Sequence, residues 1–141
     1  MAKFKILQTA IDLETYGRDH DAAIASIGIV TFFVGDSFKI EDTFYRNIDQ
    51  KRNKELGRCF DPVTIAWWQE QSKEAQKALM SDQQPLDDVM RDMCAFIDKK
   101  SMIWCQGTDF DIPIIKSTLK QLNLELPWNY RNLRDSRTFT S

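Results

Sequence analysis

The 141 residues are 43% hydrophobic and 28% charged, with 5 Gly and 4 Pro, which suits one domain with a genuine core and excludes a wholly disordered chain. Nineteen Lys and Arg against 21 Asp and Glu leave a net charge of -2, which excludes coating of duplex DNA by charge alone but leaves open the binding of a few nucleotides, or of a metal through clustered carboxylates. Cys59, Cys94 and Cys105 are odd in number and widely spaced, against a disulfide framework or a zinc knuckle; with no membrane-length apolar run and no signal peptide, a reduced cytoplasmic protein is expected.

Taken in chain order, Phe4 to Ile11 is apolar with few breakers and predicts an opening strand. Gly17 to Asp21 reads as a loop. Ala22 to Phe33 is a nearly continuous apolar run rich in β-branched residues, the pattern of a strand buried on both faces. Gly35-Asp36 marks a turn, and Phe38 to Ile48 completes a hairpin with that strand. Lys51, Arg52, Lys54 and Arg58 form a basic cluster expected in a solvated loop, where phosphate tracking is the functional alternative. Asp61-Pro62 caps a helix over Val63 to Gln71, and Ser72 caps a short one through Met80. Pro85 to Lys99 is the clearest amphipathic helix, with Leu86, Val89, Met90, Met93, Cys94 and Ile97 at three- and four-residue steps. Met102 to Cys105 predicts a strand, Phe110 to Leu122 a helix, and Pro127 to Arg134 a weak last strand. The order β-β-β, helices, β-α-β describes a mixed sheet covered by helices.

Candidate chemistry centres on Ile11-Asp12-Leu13-Glu14-Thr15. Residues two apart on a strand share a face, so Asp12 and Glu14 project together and repel. A divalent cation removes that conflict, and hard oxygen ligands suit Mg²⁺ or Mn²⁺; a solvated acidic strand end is the plain alternative. Asp109 and Asp111 follow the turn at Gly107. Either could simply cap the next helix, or one could join Asp12 and Glu14 at the tips of neighbouring strands.

Asp12-Leu13-Glu14-Thr15, Thr64 to Ser72 with its Trp67-Trp68 pair, Gly107-Thr108-Asp109-Phe110-Asp111 and Arg134-Asp135-Ser136-Arg137-Thr138 occur in the right order over essentially the whole chain. Together they resemble the DnaQ-like (DEDD) superfamily of 3'–5' exonucleases, in its small phage and bacterial DexA-like branch. The resemblance implies a ribonuclease-H-like α/β fold: a five-stranded mixed sheet in order 3-2-1-4-5, its first three strands antiparallel, flanked by helices. It also implies two-metal hydrolysis of phosphodiester bonds at single-stranded DNA or RNA 3' ends. Asp12, Glu14 and Asp111 match the catalytic, metal-holding carboxylates. Leu13, Thr15, Trp68 and Phe110 are the substrate-contacting candidates. For Leu13 the choice lies between wedging beside the last base and simple burial; of Trp67 and Trp68, one should be buried and the other free to stack on a base. Homodimers occur in such proteins.

The family's third motif, a general-base His and a last metal-binding Asp on a helix after the Arg-Asp-x-Arg-Thr segment, has no counterpart through Ser141. A domain covering 1–141 without that C-terminal helix is therefore expected, either a truncated exonuclease or a catalytically inactive binding protein on the same scaffold. His20, the single histidine, is read as a surface loop residue, and Asp135 as a structural partner of Arg134 and Arg137 rather than a metal ligand.

Overall fold

A computed structural model of the protein describes residues 6–35 and 37–136. Strands β1 (Gln8–Thr15), β2 (Ile24–Phe33) and β3 (Lys39–Asn47) form an antiparallel meander; β4 (Met102–Cys105) pairs parallel with β1, and β5 (Leu133–Asp135) parallel with β4. The sheet order is β3-β2-β1-β4-β5, the order the resemblance implies. Helices α1 (Lys51–Glu55), α2 (Pro62–Gln69), α3 (Lys73–Met80) and α4 (Leu86–Phe96) lie between β3 and β4, and α5 (Asp111–Gln121) follows β4.

The strands form where β-branched residues alternate with others, and the alternation decides which side of each strand is covered. On β1, Thr9, Ile11, Leu13 and Thr15 are buried, and Asp12 lies exposed between them. The buried set meets Ile27 and Ile29 of β2, Ile103 of β4, the stripe Leu86-Val89-Met90-Met93 of α4, and Ile114, Ile115 and Leu119 of α5 in one continuous core. Each such side chain contributes roughly 1.5–3 kcal/mol by leaving water. The α4 stripe follows the helical period, with Pro85 at the N-cap and Asp87 and Asp88 in the first turn beside the positive end of the dipole. The opposite side of the sheet, with Asp12 and Glu14, is more open.

Several boundaries differ from the sequence reading. The first strand runs through Thr15 instead of ending at Ile11, because its register with β2 continues to Thr15↔Ile24 after a shift at Glu14/Thr15. Residues 4 and 5 of the expected strand, Asp36 of the expected turn, and the segment after Ser136 where a further helix was expected absent lie outside the described residues. β2 is buried on both faces only in its first half, and alternates from Gly28 onward. The basic segment after β3 is helical over Lys51–Glu55, since Asp49 accepts from the Lys51 N–H (2.8 Å) and starts the turn. The last strand shrinks to three residues behind a short 3-10 turn, Tyr130–Asn132. Among the described residues, no helix is long and apolar enough to cross a membrane, and Cys59, Cys94 and Cys105 are all free thiols.

Candidate active site

Period-two alternation puts Asp12 and Glu14 on the face of β1 that turns away from the core. Asp12 stands directly opposite Gly28 of β2. A Cβ at Gly28 would lie 3.7 Å from the Tyr45 ring and 3.9 Å from the Asp12 carbonyl; without one, the surface beside the Asp12 carboxylate stays low.

Asp111 arrives from β4. Gly107 adopts φ +92, which an L side chain resists, and turns the chain. The Asp135 carboxylate accepts from the backbone N–H groups of Gly107 (3.0 Å) and Thr108 (3.4 Å), pinning this loop to β5. The amides of Phe110 (3.0 Å) and Asp111 (3.4 Å) then donate to the Gly107 carbonyl. Phe110 is the N-cap of α5 and makes no side-chain cap bond, and Asp111 is its first residue. Asp111 therefore stands inside the helix and not at the N-cap position that the sequence allowed. Asp135 was expected to partner Arg134 and Arg137; Arg137 lies outside the described residues, and backbone amides of the β4–α5 loop are among the partners Asp135 has.

The three carboxyl groups share one electrostatic environment. Partial burial raises Asp12 above the usual carboxylate range. Glu14 is raised by burial and then by the charge of Asp12. Asp111, only 4% exposed, is pushed up to about 7, by burial first and then by Asp12 and Glu14. A helix N-terminus favours an anion, so desolvation and like-charge repulsion outweigh the α5 dipole here. No cation among the described residues pairs with any of the three. Among those residues no group of three or more His, Cys, Asp or Glu is drawn into a ready metal-ligand cluster as the side chains stand. The donor set fits a hard divalent ion chemically: oxygen ligands, excess negative charge and no competing cation.

An aromatic wall stands at the C-terminal end of β1. Trp68 donates its Nε1–H to the Thr15 carbonyl (2.9 Å) and meets Tyr16 edge-on, with ring centroids 6.5 Å apart. Tyr16 stacks on Phe60 at 5.9 Å. Trp67 packs edge-on against Trp68 at 4.9 Å and is 52% exposed. Of the pair, Trp68 is the one built into the fold and Trp67 the one open to solvent. Phe110 is partly exposed at the start of α5.

The side chains of two of the substrate-contact candidates are buried. The Leu13 side chain is in the core, on the opposite side of β1 from Asp12 and Glu14, as the simple-burial alternative has it. The Thr15 side chain is buried and donates to the Gly17 carbonyl (2.8 Å); only its backbone carbonyl, held by Trp68, faces the aromatic wall. Arg58 does not lie in a solvated loop either, being 6% exposed and bonded to neighbouring carbonyls and side chains. Tyr16 was not singled out in the sequence reading; its place two residues after Glu14 is the signal that could have found it. His20 is exposed in the loop after β1, as expected.

Comparison with known proteins agrees with this geometry. Residues 8–141 match the family described as "3'-5' exoribonuclease Rv2179c-like domain". An exodeoxyribonuclease of Enterobacteria phage T4 is 28% identical, the match covering 79% of this chain and 55% of that enzyme, so the chain spans about half the length of this curated relative. The product-bound structure of exonuclease I superposes with a TM-score of 0.65 at 13% identity, over 97% of this chain and 31% of that one. Cell-death related nuclease 4 gives 0.58 at 14% identity, over 85% and 41%. At those identities the structures speak for the fold, and it is the ribonuclease-H-like one. The family match takes in all three acidic positions, and with it the chain belongs to the 3'-5' exoribonuclease Rv2179c-like family, within the DnaQ-like exonuclease superfamily.

Proposed function

We propose that this chain is a divalent-metal-dependent 3'–5' exonuclease acting on single-stranded nucleic-acid ends, with Asp12, Glu14 and Asp111 as its metal-holding residues. One observation carries the reading: three carboxyl groups from two elements, β1 and the start of α5, all stand above the usual carboxylate range, by burial first and, for Glu14 and Asp111, by the charge of acidic neighbours on β1, with no cation among the described residues to balance them. Structural acids are usually paired or solvated, and unpaired, partly buried carboxyl groups that repel their neighbours support a site that takes up an ion. When bound, Mg²⁺ or Mn²⁺ would supply a nucleophilic water at neutral pH and charge stabilisation for the leaving 3' oxygen.

The chain's own residues do the rest. Asp12 and Glu14, fixed on a paired strand, present two carboxylates from a rigid support. Asp111, most buried of the three, is half protonated near neutrality in the free protein and ionises fully as a cation is taken up. The low surface at Gly28 leaves room beside Asp12 for the terminal nucleotide. Trp67, exposed beside the packed Trp68, offers a ring on which any base can stack. Phe110, exposed next to Asp111 at the start of α5, offers a second ring. The choice between DNA and RNA would rest with contacts at the 2' position.

An end-labelled single-stranded oligonucleotide incubated with Mn²⁺ tests this. Stepwise shortening from the 3' end is expected, and Asp12→Ala or Asp111→Asn should lower the rate by a factor on the order of 10³ or more. No shortening at micromolar protein, or shortening that survives Asp12→Ala, defeats the proposal in favour of a binding protein on the same scaffold.

A further inference from the structure

A second charged feature lies outside the acidic site. A cleft of about 490 Å³ opens between α5, the loop after β1 and the turn that follows α1, lined by His20, Asp21, Arg58, Lys116, Ser117 and Lys120 among others. Its base is the buried guanidinium of Arg58. Nη1 donates to Ser117 Oγ and to Gln121 Oε1 (3.0 Å), and Nη2 to the carbonyls of His20 (3.1 Å) and Ala22 (2.9 Å). All four acceptors are neutral. Nε is buried and has no hydrogen-bond partner among the described residues. Lys116 and Lys120 stand one helical turn apart on the rim, exposed, and neither pairs with a carboxylate among the described residues. Asp21 is the one acid in the lining. On a chain of net charge -2, this concentration of cations is local, and Asp21, whose charge acts on Arg58, offsets only part of it. Helical spacing puts the Lys116–Lys120 side of α5 roughly opposite the side occupied by Asp111, so the cleft is distinct from the acidic site.

We propose that this cleft is a phosphate subsite, which takes a backbone phosphate of the nucleic-acid strand at a distance from the end being processed. The inference rests on the exonuclease reading for the identity of the strand. Three carboxylates repel a polyanion, so affinity for the strand must come from phosphates neutralised elsewhere. Two lysines over a fixed guanidinium hold a phosphate as point charges do, without reading a base. A strand passing the N-terminal end of α5 connects the two sites.

The test separates binding from hydrolysis. Anisotropy of a 5'-fluorescein deoxythymidine 12-mer in EDTA is followed across a salt series for the native chain and for Lys116→Ala/Lys120→Ala, both exposed positions whose loss leaves the core untouched. The variant should bind more weakly, on the order of tenfold at low salt, and its log–log salt slope should be shallower by about 0.7–1.4, one or two phosphate contacts on a single strand. Identical affinity and slope overturn the subsite. His20 is the chain's single histidine, so its C2–H resonance reports on the cleft by itself. The oligonucleotide should move it in the native chain and not in the double variant. Movement with a nucleoside 5'-monophosphate but none with the oligonucleotide overturns the strand assignment and makes the cleft a free-nucleotide site. If the exonuclease reading fails, the ladder is missing while the difference in slope persists; if the subsite fails, the slopes coincide while the ladder remains.

Discussion

At the scale of single residues, the acidic site should show itself in the pH dependence of stability before any catalysis is measured. Asp111 has a folded-state pKa of about 7 against an ordinary 3.8. Between those values the folded chain holds a proton that the unfolded chain has released, so stability falls as pH rises from about 4 to about 7. Asp12 and Glu14, also raised, push the same way at the lower end of that window. Metal-free protein should thus melt higher at pH 5 than at pH 8. Asp111→Asn should flatten the difference by about 2 kcal/mol after solvent screening is allowed for, as urea titrations at the two pH values would read. Added Mn²⁺ should reverse the trend, since it competes with protons for the same oxygens: its thermal shift should be several degrees at pH 8 and near zero at pH 5. A shift that is equal at both pH values would detach metal binding from these carboxylates. Asp12 and Glu14 were legible in the sequence because strand parity is a local property. Leu13 was left ambiguous because the same parity assigns a face but does not say which face is the core.

Among elements, α2 is the weakly held one. None of its residues is fully buried, and a prominent anchor is the Trp68 Nε1–H on the Thr15 carbonyl, at the register shift of β1. Trp68→Phe keeps an aromatic ring and loses that donor. It should cost about 1 kcal/mol of stability and, by freeing the wall beside the site, raise KM for an oligonucleotide severalfold with little change in kcat; chemical denaturation and steady-state kinetics read the two effects. The amphipathic α4 and the Asp61-Pro62 and Ser72 helix starts were visible in the sequence because apolar period and capping chemistry are written in adjacent residues. Helix α1 was not. Its Lys51-Arg52-Asn53-Lys54 run has no apolar stripe, and what shapes it is tertiary: Asn53 is buried and donates to the Ile24 carbonyl (3.1 Å), while Arg52 pairs with Asp87 of α4 (3.1 Å).

For the molecule as a whole, Arg58 ties regions remote in sequence, joining the loop around His20 and Ala22 to Ser117 and Gln121 of α5. Arg58→Met fills a similar volume but leaves two carbonyls and two side chains without their donor. It should cost roughly 2–4 kcal/mol, measured as a drop in the urea midpoint at unchanged m-value. The sequence placed this arginine in a basic loop cluster, since a run of cations ordinarily means a solvated surface; nothing local signals that one of them is drawn inward by acceptors from distant segments. Sheet order and strand direction, by contrast, followed from the order of elements together with the family motifs. The spacing left open which of Asp109 and Asp111 would stand near Asp12 and Glu14, and the resemblance selected Asp111, because that placement depends on a parallel pairing of β1 with β4 across nearly a hundred residues.

The alternation along β1 also sets what lengths that strand can have. Loss or gain of one residue between Gln8 and Ile11 would turn the stretch upstream of the change inside out relative to the acids, sending either Thr9, or Ile11 together with both acids, to the wrong side; loss or gain of two would restore the phase at the expense of a shorter or longer hairpin. Insertions and deletions tolerated here should therefore come in even numbers, and a deletion scan through residues 8–11, scored for soluble yield, should show an odd–even rhythm.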